Sequence, residues 1–387
     1  MIIKGVKGKL IKDSRGELTV EIFIRTNVGK FSSSAPNGKS KGKYEAKPYV
    51  KSINKDIESL EKLSDYFSDE HIEKFSDLRR IEDIVKGHIG ANTLFALESA
   101  VLKAVSKEQK KEIWQLINPD AKSLPRLAGN SVGGGMHSLT AKKPDFQEFL
   151  LIPHSKSPKE NQKTNLEAKE KIREFLKKKD SKFNDKKNDE NAWMTALNEK
   201  EVLDILNELK IPAGIDVAAS SFYKRKKYYY KNPPLDRNKE EQIMYLKNLI
   251  KNYNIFYIED PLDEEDFESF AKLLKICPNS LIAGDDLTAT NCKRVERAIE
   301  EKSINALIIK PNQNGSLIEV ARVVEIAKNK GIKIIFSHRS GETKENILAD
   351  LAFGFGADFI KCGITGKERE AKIDRLIEIE KKMRSVF

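Results

Sequence analysis

Residues 280–316 read SLIAGDDLTATNCKRVERAIEEKSINALIIKPNQNGS. The apolar run Leu281–Ala283 leads into two aspartates, a stretch with apolar residues at helical spacing runs through Ile299, and a second mostly apolar run ends at Lys310. A strand that returns through a helix re-enters its sheet in the same direction, so this unit predicts two parallel strands. The alternation continues on both sides. Upstream lie IPAGID (211–216), a helix around Lys239 to Lys251, IFYIED (255–260) and a helix from Glu265 to Ile276. Downstream lie a helix from Ser316 to Lys328, IKIIFSH (332–338), a helix through Phe353, DFIK (358–361) and a last helix from Glu368. Six such strands, with FQEFLLIP (146–153) as further strand material, favour an α/β barrel over an open sheet.

The first third reads differently. Ile2 to Ile11 and Leu18 to Thr26 flank the turn-prone Asp13-Ser14-Arg15-Gly16, the pattern of a hairpin. After the glycine-containing loop PNGKSKG (36–42) the pattern turns helical, most clearly in TLFALESAVLKAVS (93–106). A small α+β domain over residues 1–120 and a barrel over residues 121–387 are expected.

Composition narrows the function. No run approaches the ~18 uninterrupted apolar residues of a spanning helix, and Met1 to Lys7 lacks the apolar centre of a signal peptide, so a cytoplasmic address is expected. Cys277, Cys292 and Cys362 have neither pairing parity nor metal spacing and read as packing residues. The net charge of +11 invites a polyanion partner. However, the eleven lysines between Lys156 and Lys187 are interleaved with six acids and carry no aromatic platform or nucleic-acid motif, so they read as a solvated face and nucleic acid is not expected.

The strand ends carry the chemistry. Asp216, Glu259, Asp285, Lys310, His338 and Lys361 terminate six consecutive strands, and in a barrel these ends converge on one mouth. Three carboxylates followed by three basic groups point to a hard divalent cation among the acids, Mg²⁺ being the best match to oxygen donors. A basic wall faces them, suited to a small phosphorylated acid that Arg339 can grip bidentately. A lysine crowded by other cations loses basicity and can serve as a base near neutral pH. Removal of a proton beside a carboxylate is the chemistry this favours.

DSRGELTVE (13–21), GIDVAAS (214–220), YIEDP (257–261), GDDLTATN (284–291), NALIIKPNQNGS (305–316) and SHRSGET (337–343) together resemble the successive signature blocks of the enolase family. The resemblance implies a barrel that begins ββαα before six βα units, capped by the N-terminal domain, and interconversion of 2-phosphoglycerate and phosphoenolpyruvate with two Mg²⁺. A lysine base with Mg²⁺ is that superfamily's general pattern, so the pairing belongs to the resemblance. By motif, Asp216, Glu259 and Asp285 would hold metal, with Ser40 of the lid loop completing a second site. Lys310 would take the C2 proton, Glu190 would protonate the leaving hydroxyl, and His338 would stand in the same wall. Arg339 and Ser340 would bind phosphate, with His137, Gln147, Glu148 and Lys361 as further substrate residues. Arg15 and Glu21 match positions of the family's dimer contact, so a homodimer is expected.

The sequence departs from the family in the loops. The acid loop, usually GDEGG, reads NDENA (188–192); the lid, usually GASTG, reads GKSKG (38–42); and KTGAP becomes KCGIT (361–365). The site residues are kept while their supports change, so two alternatives stay open: a relative acting on another 2-phospho- or 2-hydroxy-acid, and a non-catalytic protein of this fold with a basic binding surface.

Overall fold

The computed structural model describes residues 1–39, 42–68 and 70–384. The expected hairpin is present as β1 (Ile3–Lys12) and β2 (Leu18–Thr26), and β3 (Gly29–Ser34) extends it to an antiparallel sheet in the order β1-β2-β3. The third strand was not anticipated because GKFSSS offers no apolar alternation. Helix formation begins later than expected, at Ile53–Lys62, since residues 43–52 are turns. The helix expected over 93–106 runs Ala91–Gln109 and packs on β2 and β3. It is buried on nearly all sides because its other face lies against the barrel.

The remaining strands are β4 (Arg126–Gly133), β5 (Glu148–Leu151), β6 (Trp193–Met194), β7 (Ala213–Asp216), β8 (Tyr223–Lys224), β9 (Lys227–Lys231), β10 (Pro234–Arg237), β11 (Tyr257–Glu259), β12 (Leu281–Gly284), β13 (Ala306–Ile309), β14 (Lys333–Ser337) and β15 (Phe359–Lys361). Eight of them close a barrel in the order β15-β14-β13-β12-β11-β7-β5-β4, with β15 pairing back to β4. The strand β5 runs antiparallel to both neighbours, and the helices Pro158–Lys179 and Glu199–Glu208 follow it in succession. The implied ββαα(βα)₆ order is therefore present. Strand β4 is not legible in the sequence because RLAGNSVG is rich in small and polar residues, and the β8–β10 excursion is not because its strands are two to five residues long, although KYYYK buries Tyr228 and Tyr230 in alternation.

Alternation along the strands builds the mouth. Ala128, Leu150, Tyr257, Ala283, Ile308, Ile335 and Phe359 form a cluster distinct from the apolar residues that face the helices. Side chains on a strand repeat every two residues, so the next inward position toward the mouth is two residues on. That step reaches Asn130, Glu259, Asp285, Lys310, Ser337 and Lys361, and on antiparallel β5 it steps back to Glu148. Register sets Glu148, Asp216 and Glu259 side by side on three adjacent strands.

The N-terminal domain is docked at that mouth. Asn37 and Gly341 exchange backbone hydrogen bonds of 2.7 and 2.9 Å, Ser34 Oγ lies 2.8 Å from Thr343 Oγ1, and Leu317 N donates to Glu98 Oε2 at 2.7 Å. Gly315 closes the turn after Lys310 with φ +88°, and a Cβ there would lie 2.5 Å from Ala91 Cα. A side chain is excluded both by that conformation and by the domain contact. Gly315→Ala is expected to cost about 2 kcal/mol or more, read as a lower midpoint of urea unfolding.

Candidate active site

The mouth cavity is lined by His137, Gln147, Glu148, Glu190, Asp216, Asp285, Lys310, His338, Arg339, Ser340 and Lys361, with Lys39 and Glu45 from the N-terminal domain. Glu259 joins them through Lys361. The ammonium of Lys361 stands 3.1 Å from Glu148 Oε2, 3.0 Å from Asp216 Oδ2 and 2.8 Å from Glu259 Oε2. Lys310 is ion-paired with Asp285. Gln147 Nε2 donates to Asp216 Oδ2 at 3.4 Å. Every site residue expected from the sequence is thus brought together except Ser40, which lies outside the described residues.

The charge distribution follows the barrel order. Acids occupy the ends of β5, β7, β11 and β12, and basic groups occupy β13, β14 and β15. Glu190 sits in the loop before β6, where Asn130 Nδ2 of β4 donates to its Oε2 at 3.1 Å, three strands around the barrel from Lys310. His137 Nδ1 lies 3.8 Å from Glu190 Oε1, and His338 Nε2 lies 3.6 Å from Oε2.

Burial dominates the ionisation of these groups, and neighbours decide its sign. Burial and the adjacent Asp216 push the Glu259 carboxyl up to about 8 despite Lys361. Burial, then Glu190, raises Glu148 well above the usual carboxylate range. Glu190 is the exception: burial opposes its charge, but His338, His137, Arg369 and Lys361 overcome it and hold the carboxyl low. Burial lowers the proton affinity of His137 and His338, and the facing Glu190 carboxylate opposes it in both. Lys310 differs from expectation. Burial should weaken its hold on the proton, as crowding by cations should, but the paired Asp285 carboxylate outweighs both and raises it. In this arrangement the lysine is a held cation.

The donor set fits a divalent cation. Asp285 Oδ1 is buried with no hydrogen-bond partner, and the acids outnumber the two lysines that neutralise them. The carboxylate oxygens among these donors suit a hard ion. Among the described residues, the groups with ligand atoms within 4.8 Å of one another are Asp260–Asp285–Asp286 and His137–Glu148–Glu190. Asp216 and Glu259 belong to neither group, and Lys361 stands between them.

Several participants were not singled out in the sequence. Asp260 and Asp286 stand in quoted motifs beside the acids that were chosen; Asp260 accepts the backbone N–H of Asp285 at 2.9 Å and of Asp286 at 2.7 Å, fixing the β12 terminus. Glu45 accepts two hydrogen bonds of 3.0 Å from Arg339 Nη2, and no periodic pattern marks it. Lys39 N donates to Ser340 Oγ at 2.8 Å while its ammonium lies 3.2 Å from Asp189 Oδ2, joining the lid to the acid loop. Arg15, expected at a dimer contact, donates to Ser340 Oγ at 2.9 Å within the same chain, whereas Glu21 pairs with Lys9 at 3.0 Å.

The lost glycines of the acid loop are replaced by side-chain bonds. Asn188 Oδ1 accepts from Glu190 N at 3.0 Å and Ala192 N at 2.9 Å, and Asn191 adopts φ +62°, a conformation asparagine tolerates. Their amides fill the space above Gly133 and Gly366, where a Cβ would lie 2.2 and 2.4 Å from them. Trp193 packs edge-on to Phe183 with Lys187 4.5 Å from its ring centroid.

A parallel barrel with an antiparallel second strand, facing rows of acids and bases at its mouth, and an N-terminal sheet domain docked beside them define an α/β-barrel protein of the enolase type. Residues 121–386 match the family model described as "Enolase, C-terminal TIM barrel domain". The enolase of Methanosphaera stadtmanae is 36% identical over 99% of this chain and 97% of its own length. Those of Methanocorpusculum labreanum and Archaeoglobus fulgidus are 37% and 35% identical, over 96% and 99% of this chain and 97% and 98% of theirs. The chain belongs to the enolase family and is a phosphopyruvate hydratase, a carbon–oxygen lyase.

Lys361 is the test of the acid cluster. Lys361→Met leaves three buried carboxylates without their ammonium and should cost about 3–5 kcal/mol, measured as a lower unfolding midpoint in the presence of a chelator.

Proposed function

We propose that this protein reversibly dehydrates 2-phospho-D-glycerate to phosphoenolpyruvate in glycolysis and gluconeogenesis, with Mg²⁺ as cofactor. The observation that carries this reading is the placement of Glu190 and Lys310 three strands apart across one cavity, each backed by groups of opposite charge. A scaffold that only binds has no need of an acid and a base facing each other.

Asp216, Glu259 and Asp285, with Ser40 of the lid, are the residues that would hold two Mg²⁺. Bound there, the cation supplies positive charge to the substrate carboxylate as it gains a second negative charge. The chain's own groups do the rest. Arg339 and Ser340 bind the phosphate, which requires Arg339 to exchange Glu45 for the incoming oxygens. Gln147, Glu148, His137 and Lys361 surround the remainder of the substrate. In the forward direction Lys310 has to enter neutral, having released its proton to solvent once Asp285 is no longer its sole partner, and Glu190 has to enter protonated; Lys310 then takes the C2 proton, and the electron pair expels the C3 hydroxyl as Glu190 protonates it, releasing water. In the reverse direction Glu190 acts as it stands in the structure, a carboxylate able to take a proton from water attacking C3. The imidazoles of His137 and His338 flank it and exclude solvent.

The division into a lid domain over residues 1–120 and a catalytic barrel over residues 121–387 is part of this reading, as are a homodimer and a cytoplasmic setting. Among the described residues no helix is long and apolar enough to cross a membrane.

The test is ultraviolet absorbance of phosphoenolpyruvate formed from 2-phosphoglycerate. Turnover is expected with Mg²⁺, its loss with a chelator, and a fall of about 10²–10⁴ in kcat for Lys310→Ala and for Glu190→Gln. Absence of turnover by the unmodified protein at saturating Mg²⁺ would sink the proposal.

A further inference from the structure

Two of the segments in which this sequence departs from the family pattern, NDENA and KCGIT, meet on one buried ammonium. Lys169 belongs to the lysine-rich helix Pro158–Lys179 yet is only 2% exposed, unlike the exposed lysines around it. Its Nζ donates to the carbonyl of Asn191 at 2.6 Å and to Thr365 Oγ1. It lies 5.6 Å from the Trp193 ring centroid, and its own carbonyl accepts from Trp193 Nε1 at 3.0 Å. Among the described residues no carboxylate lies within ion-pair distance of it, so the cation is held by a carbonyl, a hydroxyl and an aromatic face. Burial accordingly lowers its affinity for the proton to about 7. A lysine placed in so costly a setting, where a leucine would pack, indicates that its bonds are needed.

Those bonds bear on Glu190. Asn191 is the next residue in the chain, and its left-handed backbone turns the Glu190 side chain into the cavity. Thr365 lies in the loop that follows Lys361. With glycine absent from the acid loop, the turn is held from within by Asn188 and from beneath by Lys169. Arg369 steadies the far side by donating to Ser340 O at 2.7 Å and to Asp189 O at 3.5 Å.

We propose that Lys169 is a positioning residue for the general acid: its ammonium ties the Asn191 carbonyl to the Lys361 loop and fixes Glu190 against the C3 hydroxyl. The inference rests on the assignment of Glu190 as that acid. Its consequence is asymmetric, because Lys169 supports the Glu190 side of the cavity and touches nothing on the Lys310 side. Proton removal at C2 needs Lys310 but not Glu190, whereas loss of the hydroxyl needs both.

The experiment compares two rates in deuterium oxide with saturating Mg²⁺: exchange of the C2 hydrogen of 2-phosphoglycerate, followed by NMR, and formation of phosphoenolpyruvate. Unmodified protein, Lys169→Met, Lys169→Gln and Glu190→Gln are measured, with Lys169→Arg as the conservative rescue. Lys169→Met is expected to lower kcat by about tenfold to a hundredfold, with KM and exchange nearly unchanged, so that the exchange-to-turnover ratio rises by the same factor. Lys169→Arg should recover part of the loss. A parallel fall of exchange and turnover, or no change in the ratio, would overturn the proposal. Should Lys169→Met fail to fold, the ratio for Lys169→Gln decides by the same criterion. Glu190→Gln separates the two claims. If it leaves turnover intact, the acid assignment fails; if it blocks turnover and keeps exchange while the Lys169 variants behave as unmodified, only the role of Lys169 fails.

Discussion

The ammonium of Lys361, set among Glu148, Asp216 and Glu259, is the interaction around which the barrel mouth is arranged. Burying one charge costs several kcal/mol even after relaxation, and here three carboxyl groups lie within 3.1 Å of one ammonium, all four groups buried. Such a cluster persists only if each charge has partners and the wall behind it cannot move. The wall is supplied by the closed ring of strands, and partners come from around it: Tyr257 donates to Glu259 at 2.7 Å, and Asp260 pins the backbone of Asp285 and Asp286. Burial first, and then the neighbouring carboxylates, raise the proton affinity of Glu259 and Glu148, and a bound cation would offset both.

The same shortage of positive charge explains the paired state of the basic half. Lys310 lies against Asp285, and Arg339 engages Glu45, a residue carried by the N-terminal domain. Each basic group that would meet substrate is already occupied by a carboxylate of the protein. On the proposed function, substrate and cation would have to replace internal ion pairs, two of which involve Glu45 and Lys39 of the N-terminal domain. Hydrogen bonds through Asn37, Gly341 and Ser34 hold the N-terminal domain against the barrel beside these pairs.

The acid loop shows how local sequence can change while geometry is kept. Glycine serves such loops by admitting positive φ and close approach. Here Asn191 supplies the positive φ, Asn188 supplies hydrogen bonds to two backbone amides, and both amide groups pack over the remaining glycines at 133 and 366. Trp193, enclosed by Lys187, Arg173 and Phe183, anchors the end of the loop. The altered residues thus form a side-chain support in place of a glycine turn.

By itself the sequence determined the barrel, the N-terminal hairpin and the identity of the groups at six strand ends, because period-two and helical patterns and the chemistry of terminal residues are local properties. It left β3 and β4 hidden, since their small and polar residues carry no apolar rhythm, and it left the β8–β10 excursion hidden because those strands are only two to five residues long. Tertiary structure decided everything that depends on which distant groups share a space. The Lys310 proton is held tightly because Asp285 lies against it, and Glu190 is ionised because two imidazoles and Arg369 face it. Glu45 meets Arg339 across a separation of 294 residues. Lys169, one lysine among many in a helix whose composition reads as solvated, is buried because the acid loop and the Lys361 loop close over it. Desolvation and Coulomb interaction act through space, and no window of sequence contains that information.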